Sequence, residues 1–307
     1  MSAEIIRGRP VADRILEQTR EDVAALRERG HGVRLVSIEV GENPAVAVYT
    51  RNQRRSCERV GIDFQSEWLP ESITEEELIE VLRGHNEDGA VTGIIIQRPL
   101  PEHINELRIQ AKIHPDKDVE GMNPANLGMM LYGRPNLVPC TALAAVELLV
   151  STDLDIAGRD AVVVGHSSIV GKPVAFLLLD RFATTTVCHI ATKDLRAKTR
   201  ASDILIVAVG RPKLISADMI KPGAAVIDIG INRVPAESED GRPLYGDDGR
   251  PKMKIVGDVD FDAACEVAGY ITPVPGGVGP VTVAMLMRNT LVAAIQQSSS
   301  ADINVQT

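Results

Sequence analysis

The chain is poor in aromatic residues and in cysteine. It contains one Trp, four Tyr and four Phe among 307 residues, so few side chains can stack on a flat ligand. Its four Cys residues lie far apart and form no C-x-x-C pair. This spacing argues against a disulfide scaffold and favours reduced thiols in a cytoplasmic protein. Nothing in the sequence resembles a metal-ligand cluster, so we predict no metal site.

The sequence also lacks an excess of basic residues. Its net charge of −9 argues against nonspecific nucleic-acid binding, although the site of a small anionic ligand depends on local charge. The N-terminus carries Glu4, Arg7 and Arg9 without a long apolar core, so we expect no signal peptide. No apolar run approaches the length of a membrane span. These features predict a soluble, cytoplasmic protein of one large or two ordinary domains.

The most informative stretch that is present runs from Ala161 to Pro173. Its first four residues are apolar and predict a strand buried on both faces of a parallel sheet, after which Gly165 permits a sharp turn. Ser167 and Ser168 are small enough for a phosphate to approach the backbone, and a Ser can cap the following helix. The spacing G-x-S-x-x-x-G departs from the usual G-x-G-x-x-G, so a tight turn without a ligand is the alternative.

Strands and helices alternate regularly from about residue 158 onward. The predicted strands are 161–164, 185–188, 204–209 and 225–229. Such alternation favours a right-handed, parallel, nucleotide-binding sheet. Residues 235–253 are rich in Pro, Gly and acids and predict an exposed loop. The tail after about Gln296 is expected to be disordered.

The N-terminal half predicts further α/β structure. Residues 11–30 have the pattern of an amphipathic helix, and 33–40 that of a strand. A second helix follows and carries Tyr49, Gln53 and Cys57. These three side chains are spaced i, i+4, i+8 and therefore share one helical face.

Three stretches combine polar or rigid residues with neighbouring apolar elements. An apolar strand ends at Gln97, and polar groups at a strand's carboxyl end commonly line the ligand crevice of an open α/β sheet. The charged loop 114–124 is either solvated or positioned for function. Residues 271–280 contain three glycines and three prolines, which fix the backbone more than a connector requires. We therefore expect a wall that contacts a ligand.

Taken together, these stretches closely resemble the tetrahydrofolate dehydrogenase/cyclohydrolase family over residues 4 to about 295. The matching segments are Val40-Gly-Glu-Asn-Pro44, Gln97 with Pro99-Leu-Pro101, His114-Pro-Asp-Lys-Asp-Val119, Pro139-Cys-Thr141, Gly165-x-Ser-x-Ile-Val-Gly-Lys-Pro173 and Thr272-Pro-Val-Pro-Gly-Gly-Val-Gly-Pro280. The last segment is highly specific. The resemblance implies a homodimer of chains with two α/β domains around a cleft, the second a Rossmann-like parallel sheet. It places a folate-binding domain at 1–148, to which a C-terminal helix, 282–297, returns, and an NAD(P)-binding domain at 149–281.

The resemblance also implies two reactions. A hydride passes from the methylene bridge of 5,10-methylenetetrahydrofolate to nicotinamide C4, and water then attacks the methenyl carbon. In the family a Lys serves the second step, four residues after a folate-stacking Tyr, and a Gln and an Asp tune it. The implied catalytic positions are Tyr49, Gln53, Gln97 and Glu120, and the implied folate contacts are Tyr49, Gln97, Glu120, Pro275 and Gly279. The implied cofactor contacts are Cys140, Thr141, Gly165, His166, Ser167, Ile169, Val170, Gly171, His189, Ile190, Gly210, Ile231, Gly276 and Thr282.

The chain departs from the family pattern at two positions of one constellation. Gln53 stands where the family has Lys, and a carboxamide cannot shuttle a proton near neutral pH. Glu120 stands where the family has Asp, one methylene shorter, and is still able to bind the pterin ring. We therefore predict that hydride transfer survives and that cyclohydrolase activity is strongly reduced. The alternatives are a different one-carbon pterin as substrate, and a catalytically silent regulatory paralogue that binds folate or nucleotide.

Cofactor choice depends on His166 and Ile190. In family members that prefer NADP, a basic residue often follows the first glycine of the loop, or a polar or basic residue follows the His at the end of the second strand. Here those positions hold His166 and Ile190. Ile190 can neither contact a 2′-phosphate nor accept hydrogen bonds from a ribose diol as an Asp or Glu would. NADP is the expectation from the family, and NAD is the alternative.

Overall fold

Twenty-one helices and strands are assigned in a computed structural model that describes residues 2–236, 238, 242–246 and 248–305. In the first half of the chain they are β1 (Glu4–Ile5), α1 (Gly8–Glu28), β2 (Arg34–Val40), α2 (Pro44–Val60), β3 (Asp63–Leu69), α3 (Glu75–Glu87), β4 (Gly93–Ile96), α4 (Glu106–Gln110), α5 (Pro124–Leu131) and α6 (Cys140–Val150). In the second half they are β5 (Asp160–Val164), α7 (Gly171–Leu179), β6 (Thr184–Cys188), α8 (Leu195–Ala201), β7 (Ile204–Val207), β8 (Ala225–Asp228), β9 (Asn232–Pro235), β10 (Met253–Val256), α9 (Phe261–Cys265), β11 (Tyr270–Ile271) and α10 (Val278–Val305).

The chain forms two compact units. The first unit comprises Ala12–Cys140 and Thr282–Thr307, and the second comprises Met1–Val11 and Thr141–Val281. The sequence-based division at 148/149 differs in two places. Residues 1–11 join the second unit because β1 pairs in parallel with β11. The boundary falls at the first turn of α6, since that helix begins at Cys140.

The first unit contains a three-stranded parallel sheet in the order β3-β2-β4. Strand β2 is central and pairs with β3 from Arg34 to Val40 and with β4 from Leu35 to Ile38. The core on this sheet is aliphatic, and Ile38, Leu78 and Ile94 are fully buried in it. Helix α3 begins with a capping box, in which the Thr74 and Glu77 side chains each bond the other's backbone N–H.

The second unit contains a six-stranded parallel sheet in the order β1-β11-β8-β7-β5-β6. Four buried strands, β5, β7, β8 and β11, form its centre. The chain runs from β5 outward to β6 and then returns to β7 on the other side of β5, so the order reverses between β5 and β7. An open α/β sheet binds its ligands at such a switch point, beyond the carboxyl ends of the strands. The predicted Rossmann-like sheet is therefore confirmed.

Of two predictions about irregular segments, the exposed loop 235–253 is confirmed for the described residues except at its two ends, and the disordered tail was wrong. The predicted loop 235–253 contains the ends of an antiparallel hairpin, β9 with β10, whose register runs from Asn232↔Val256 to Pro235↔Met253. Part of that predicted loop, residues 237, 239–241 and 247, lies outside the described residues. The tail predicted to be disordered after Gln296 continues as helix α10 to Val305. Gln297 secures this part of the helix by donating to the carbonyls of Thr92 and Asp116, both at 2.9 Å.

Helix α10 is longer than the predicted helix 282–297, and the expectation that no apolar run approaches the length of a membrane span was wrong. Its segment Val278–Ser299 has a mean hydropathy of 1.5, enough by length and composition to cross a membrane. However, 61% of that window is buried inside the protein, as in the core helix of a globular domain. It also contains Asn289, which is buried and donates to the carbonyls of Val119 and Val138. Within the first unit α10 is therefore a core helix.

Candidate active site

One face of α2 carries the three side chains that the spacing predicted. Cys57 is fully buried, Gln53 is 2% exposed and Tyr49 is 40% exposed, so burial decreases steadily toward the N-terminus of the helix. The Cys57 thiol lies 3.4 Å from the Met287 sulfur in α10. Burial raises the pKa of Cys57 to about 12, which makes it a packing residue. Tyr49 and Gln53 are the members of this face that can meet a ligand.

Gln53 is held by a second carboxamide. Gln97 follows β4, and its Nε2 donates to Gln53 Oε1 at 2.8 Å and to Ser37 Oγ in β2 at 2.9 Å. All three side chains are buried. The contact fixes both amides at the carboxyl end of the sheet. None of the three groups exchanges a proton readily near neutral pH.

Tyr49 has a strongly perturbed hydroxyl. Burial and the negative charge of Glu120 raise the pKa of Tyr49 to about 12, although a hydrogen bond with Gln53 acts in the opposite direction. The phenol is therefore protonated at neutral pH and offers an O–H donor beside a half-exposed ring. Such a side chain suits stacking on a flat ligand and does not suit the role of a base.

Glu120 and Arg98 form an ion pair beside these groups. Arg98 Nη2 lies 3.1 Å from Glu120 Oε1, and the two side chains are 24% and 25% exposed. The other oxygen, Glu120 Oε2, is buried and has no hydrogen-bond partner among the described residues. Burial raises the pKa of Glu120, whereas Arg98 opposes the shift. A buried acceptor without a donor is costly and marks a point where a ligand N–H would be stabilised.

The loop that carries Glu120 is rigid and not merely solvated. Asp118 is fully buried and accepts hydrogen bonds from Gln110 Nε2, the Asn123 backbone N–H and Asn126 Nδ2. Burial raises the pKa of Asp118 to about 6, while these donors act against the rise. Gly121 has φ +67°, and a Cβ there would lie 2.3 Å from the Val138 carbonyl carbon. The loop therefore presents Glu120 on a fixed backbone.

Cys140 is a packing residue in the same unit. Its thiol lies 3.4 Å from both the Val119 carbonyl and Asn289 Nδ2. Burial and the charges of Glu120 and Asp118 raise the pKa of Cys140 well above its usual value. This environment suits a packing residue and does not suit a nucleophile. Its predicted contact with a cofactor stays a prediction, as does that of Thr141.

The second unit has a nucleotide-type turn after β5. Gly165 has φ +122°, and a Cβ there would lie 2.2 Å from the Ala208 carbonyl oxygen just beyond β7. A Cβ on Gly171 would lie 2.1 Å from the Gly165 carbonyl. Ser167 Oγ accepts from the backbone N–H groups of Val170 and Gly171 at the start of α7, at 3.2 and 3.3 Å. The turn thus lies at the switch point of the sheet, where helix and strand approach most closely.

Several predicted cofactor residues surround this turn with exposed side chains. The His166 and His189 rings lie 5.3 Å apart, and Ile190 is 94% exposed. Ile169 is also exposed, whereas Val170 is partly covered. The structure therefore brings the ends of β5 and β6 together at one side of the turn.

A buried carboxylate organises the backbone that follows β7 and β8. Asp258 is fully buried and accepts hydrogen bonds from the backbone N–H groups of Val209, Gly210 and Arg211 and from Asn232 Nδ2, all within 2.9 Å. Asp228 Oδ1 and Oδ2 accept from the backbone N–H groups of Gly230, Asp258 and Val259. Two predicted cofactor residues, Gly210 and Ile231, lie on the segments fixed in this way.

The glycine- and proline-rich wall is rigid at its base and open at its tip. Val274–Pro275 is a cis peptide, and Gly276 has φ +106°. A Cβ on Gly277 would lie 2.7 Å from the Pro273 carbonyl, so no larger residue fits. Pro275, Gly276 and Gly279 are exposed. Their predicted contacts with ligands, and that of Thr282, are not tested by the geometry within either unit.

Two sequence profiles of one family match the chain. The profile of the tetrahydrofolate dehydrogenase/cyclohydrolase catalytic domain covers residues 6–120, and that of its NAD(P)-binding domain covers residues 139–298. The chain belongs to the tetrahydrofolate dehydrogenase/cyclohydrolase family. The expectation drawn from the sequence motifs is confirmed at this level.

Relatives match along almost the whole chain. The bifunctional protein FolD 2 of Mesorhizobium japonicum is 54% identical over 292 residues, which cover 95% of this chain and 92% of that protein. The bifunctional FolD methylenetetrahydrofolate dehydrogenase/cyclohydrolase of Campylobacter jejuni is 41% identical, with a TM-score of 0.88 and coverage of 96% and 99%. The Trypanosoma brucei N5,N10-methylenetetrahydrofolate dehydrogenase-cyclohydrolase, solved with NADP and an inhibitor, is 40% identical, with a TM-score of 0.87 and coverage of 96% and 98%.

Sequence reasoning missed four residues that organise the two sites. Arg98 directly follows Gln97, and a charge between an apolar strand and a proline was an available signal. Asn289 is a polar residue within an apolar helix, and buried polar groups of this kind usually bond backbone atoms. Asp228 and Asp258 were not recognisable as partners, because their contact joins segments about 30 residues apart.

Proposed function

We propose that the protein oxidises 5,10-methylenetetrahydrofolate to 5,10-methenyltetrahydrofolate by hydride transfer to a nicotinamide cofactor, with weak cyclohydrolase activity. Family membership supports both substrate classes. The hydride leaves the methylene bridge and forms a bond to nicotinamide C4, and the product cation is delocalised over two nitrogens. Positioning and a favourable field matter more to this step than a proton acceptor.

The described groups suit hydride transfer. Tyr49 offers a half-exposed ring and a protonated hydroxyl, and the ionised form of Glu120 would favour the developing cation. On the nucleotide side, the Gly165 turn meets the N-terminus of α7, where backbone N–H groups favour a pyrophosphate. These features support the dehydrogenase half of the proposal.

The observation that carries the second half is the amide pair of Gln53 and Gln97. Hydrolysis requires protons to move as water attacks the methenyl carbon. Gln53 is buried at the position where the family resemblance places a Lys, and its Oε1 accepts a hydrogen bond from Gln97. Neither amide can take up or release a proton near neutral pH. We therefore infer that cyclohydrolase activity is strongly reduced.

Glu120 fits a folate-binding role. Its free oxygen Oε2 would accept an N–H of the pterin ring, whose amide and amine groups are donors. A pterin that carries its one-carbon unit differently is the alternative substrate, because Gln53 and Glu120 both differ from the family pattern. Comparison of kcat/KM among one-carbon tetrahydrofolates separates these two readings.

The cofactor is proposed to be NADP, with NAD as the alternative. No carboxylate occupies position 190 to accept the ribose diol, since this residue is Ile190 and is almost fully exposed. His166 is the residue proposed to contact the 2′-phosphate of NADP. Comparison of kcat/KM for NADP and NAD tests the cofactor preference. We further propose a cytoplasmic homodimer, and light scattering of the purified protein tests its oligomeric state.

Two separate assays test the proposed function. The first supplies 5,10-methylenetetrahydrofolate with NADP or NAD and follows the reduced cofactor. The second supplies 5,10-methenyltetrahydrofolate alone and follows the loss of methenyl absorbance above the rate without protein. We expect turnover in the first assay and a rate close to the uncatalysed one in the second. Fast hydrolysis in the second assay would contradict the role assigned to Gln53.

A further inference from the structure

Arg98 is a partly buried cation that contacts two carboxylates. Its Nη1 lies 3.2 Å from Glu106 Oε1, and its Nη2 lies 3.1 Å from Glu120 Oε1 and 2.8 Å from the Met122 sulfur. Burial lowers the pKa of Arg98, but Glu120 and Glu106 more than offset this effect. The guanidinium is therefore charged at all working pH values and its fork is fully directed by neighbours.

The chain order places this cation next to the amide pair. Arg98 directly follows Gln97, which bonds Gln53 and Ser37. Arg98 therefore adjoins the amide pair along the chain and contacts Glu120 on the charged loop 114–124. Because Gln53 carries no charge, Arg98 supplies the positive charge that contacts Glu120 within the described site.

Arg98 engages only one oxygen of Glu120. The second oxygen, Oε2, is buried and without a partner among residues 2–236, 238, 242–246 and 248–305. A carboxylate clamped at one oxygen presents the other in a fixed direction, ready to accept a ligand N–H. Without the contact to Arg98, the Glu120 side chain would have several rotamers. Ligand binding would then restrict it to one of them, at a cost in conformational entropy.

The other groups that face Glu120 do not favour its ionised form. Its surroundings contain two further carboxyl groups, Glu106 and Asp118. They also contain Tyr49 and Cys140, which are neutral when protonated. The charge of Glu106 makes a second negative charge in this space less favourable, and Tyr49 and Cys140 supply no positive charge to offset it. Arg98 is the opposing contact, so the charge and the direction of Glu120 both depend on it.

We propose that Arg98 is a positioning residue that binds one oxygen of Glu120 and so orients the other, Oε2, to accept a hydrogen bond from an N–H donor of the reduced pterin. The inference rests on the proposed function for the identity of the ligand.

Substitution of Arg98 tests the proposal. Arg98→Met removes the charge and keeps much of the side-chain volume. We expect KM for 5,10-methylenetetrahydrofolate to rise at least about tenfold, because a charge-assisted contact of Glu120 is lost. We expect KM for the nicotinamide cofactor to change less than about threefold, because Arg98 lies in the folate-binding unit. Arg98→Lys keeps the charge without the fork and should restore part of the affinity.

The pH profile separates this role from a purely structural one. Loss of activity toward low pH should follow protonation of Glu120. Without Arg98 the pKa of Glu120 rises further, so the acid limb of kcat/KM for the folate should move to higher pH in Arg98→Met. A structural defect alone would lower activity without moving this limb.

Direct binding keeps the inference separate from the proposed function. Calorimetry with tetrahydrofolate and without cofactor should show weaker binding to Arg98→Met, and Arg59→Met, which loses an exposed pair with Asp13, is the matched control. If the native protein turns over no folate but the Arg98 variant still binds tetrahydrofolate more weakly, the proposed function fails and the inference stands. Equal affinities in the Arg98 and Arg59 variants, or no binding to the native protein, overturn the inference. If Arg98→Met does not fold, the Arg98→Lys variant decides, with about threefold weaker binding expected and unchanged binding overturning the proposal.

Discussion

Replacement of Gln53 by Lys should give this protein a cyclohydrolase activity. The position is 2% exposed, and its side chain already meets Gln97 and Tyr49. An amine at this point can both donate and accept a proton during water attack, whereas the carboxamide cannot. General acid–base catalysis contributes about 10²–10⁴-fold, so we expect hydrolysis of the methenyl folate to rise at least about 100-fold.

The neighbouring groups can accept an ammonium without rebuilding the site. Gln97 donates to Gln53 through Nε2, and rotation of this amide by half a turn presents Oε1 to the new lysine. Ser37 Oγ, which now accepts from Gln97, can turn its O–H and donate to the same oxygen. A hydroxyl serves both roles, so the contact between Gln97 and Ser37 is kept after the exchange.

The free-energy cost of the substitution is moderate. Lys117 shows how this unit holds a largely buried ammonium: its Nζ donates to the carbonyls of His85 and Asp88 at 3.0 and 2.7 Å. Burial lowers the pKa of Lys117. The introduced lysine should behave likewise, and a lowered pKa suits proton exchange near neutral pH. We expect the free energy of unfolding to fall by about 1–3 kcal/mol.

The assay is methenyl hydrolysis in Gln53→Lys, compared with two matched variants. Asn52→Lys adds the same charge on an exposed neighbouring position, and Gln53→Met removes the amide without adding a base. Neither should gain activity. If Gln53→Lys binds tetrahydrofolate as the native protein does and hydrolyses no faster, the missing lysine is not what limits hydrolysis.

Three further predictions concern other parts of the two units. Gly171→Ala places a Cβ about 2.1 Å from the Gly165 carbonyl, so KM for NADP should rise at least about tenfold, measured by initial rates. Asp258→Asn leaves buried N–H groups without an acceptor, so urea denaturation should show a loss of about 2–4 kcal/mol, with a raised KM for the cofactor. The pKa of Asp118 is raised from 3.8 to about 6 in the folded state. The contribution of protonated Asp118 to the free energy of unfolding is therefore complete below the unfolded-state pKa and is lost as pH rises through about 6. The stability of the native protein relative to Asp118→Asn should therefore fall by about 2 kcal/mol between pH 4.5 and 7 in urea titrations.

Each of these three predictions has a contrary outcome. Unchanged cofactor KM in Gly171→Ala would show that the turn relaxes without affecting the ligand. An Asp258→Asn protein as stable as the native one would mean that water replaces the lost acceptor. A stability difference for Asp118→Asn that grows as pH rises would show that the donors around Asp118 favour its ionised form more than burial opposes it.

The regular part of the fold was predictable because its signals are local. The four strands predicted after residue 158 each match a structural strand within two residues at either end. In β5, β7 and β8 the signal is a buried, mainly apolar run, whereas β6 is a mostly exposed edge strand. The capping box at Thr74 follows from residue types three positions apart. Strands β1 and β11 contain two residues each, too few for any periodicity to appear.

The side-chain contacts of the site were predictable only in part. The spacing of Tyr49 and Gln53 put both on one helical face, and the strand end put Gln97 near a crevice. The contact of Glu120 Oε1 with Arg98, which leaves Oε2 without a partner among the described residues, was not predictable. It depends on the path of the loop that carries Glu120. The same applies to Asp258, which binds three successive backbone N–H groups 47 to 49 residues away.

The most direct test of the central claim is the stoichiometry of a single coupled reaction. Purified protein is mixed with 5,10-methylenetetrahydrofolate and NADP, and in parallel with NAD, and the reduced cofactor and the methenyl absorbance are followed separately. We predict one methenyl folate accumulated for each cofactor reduced, corrected for hydrolysis without protein. Reduction of the cofactor with little methenyl accumulation would show efficient hydrolysis despite Gln53 and would contradict the role proposed for this residue.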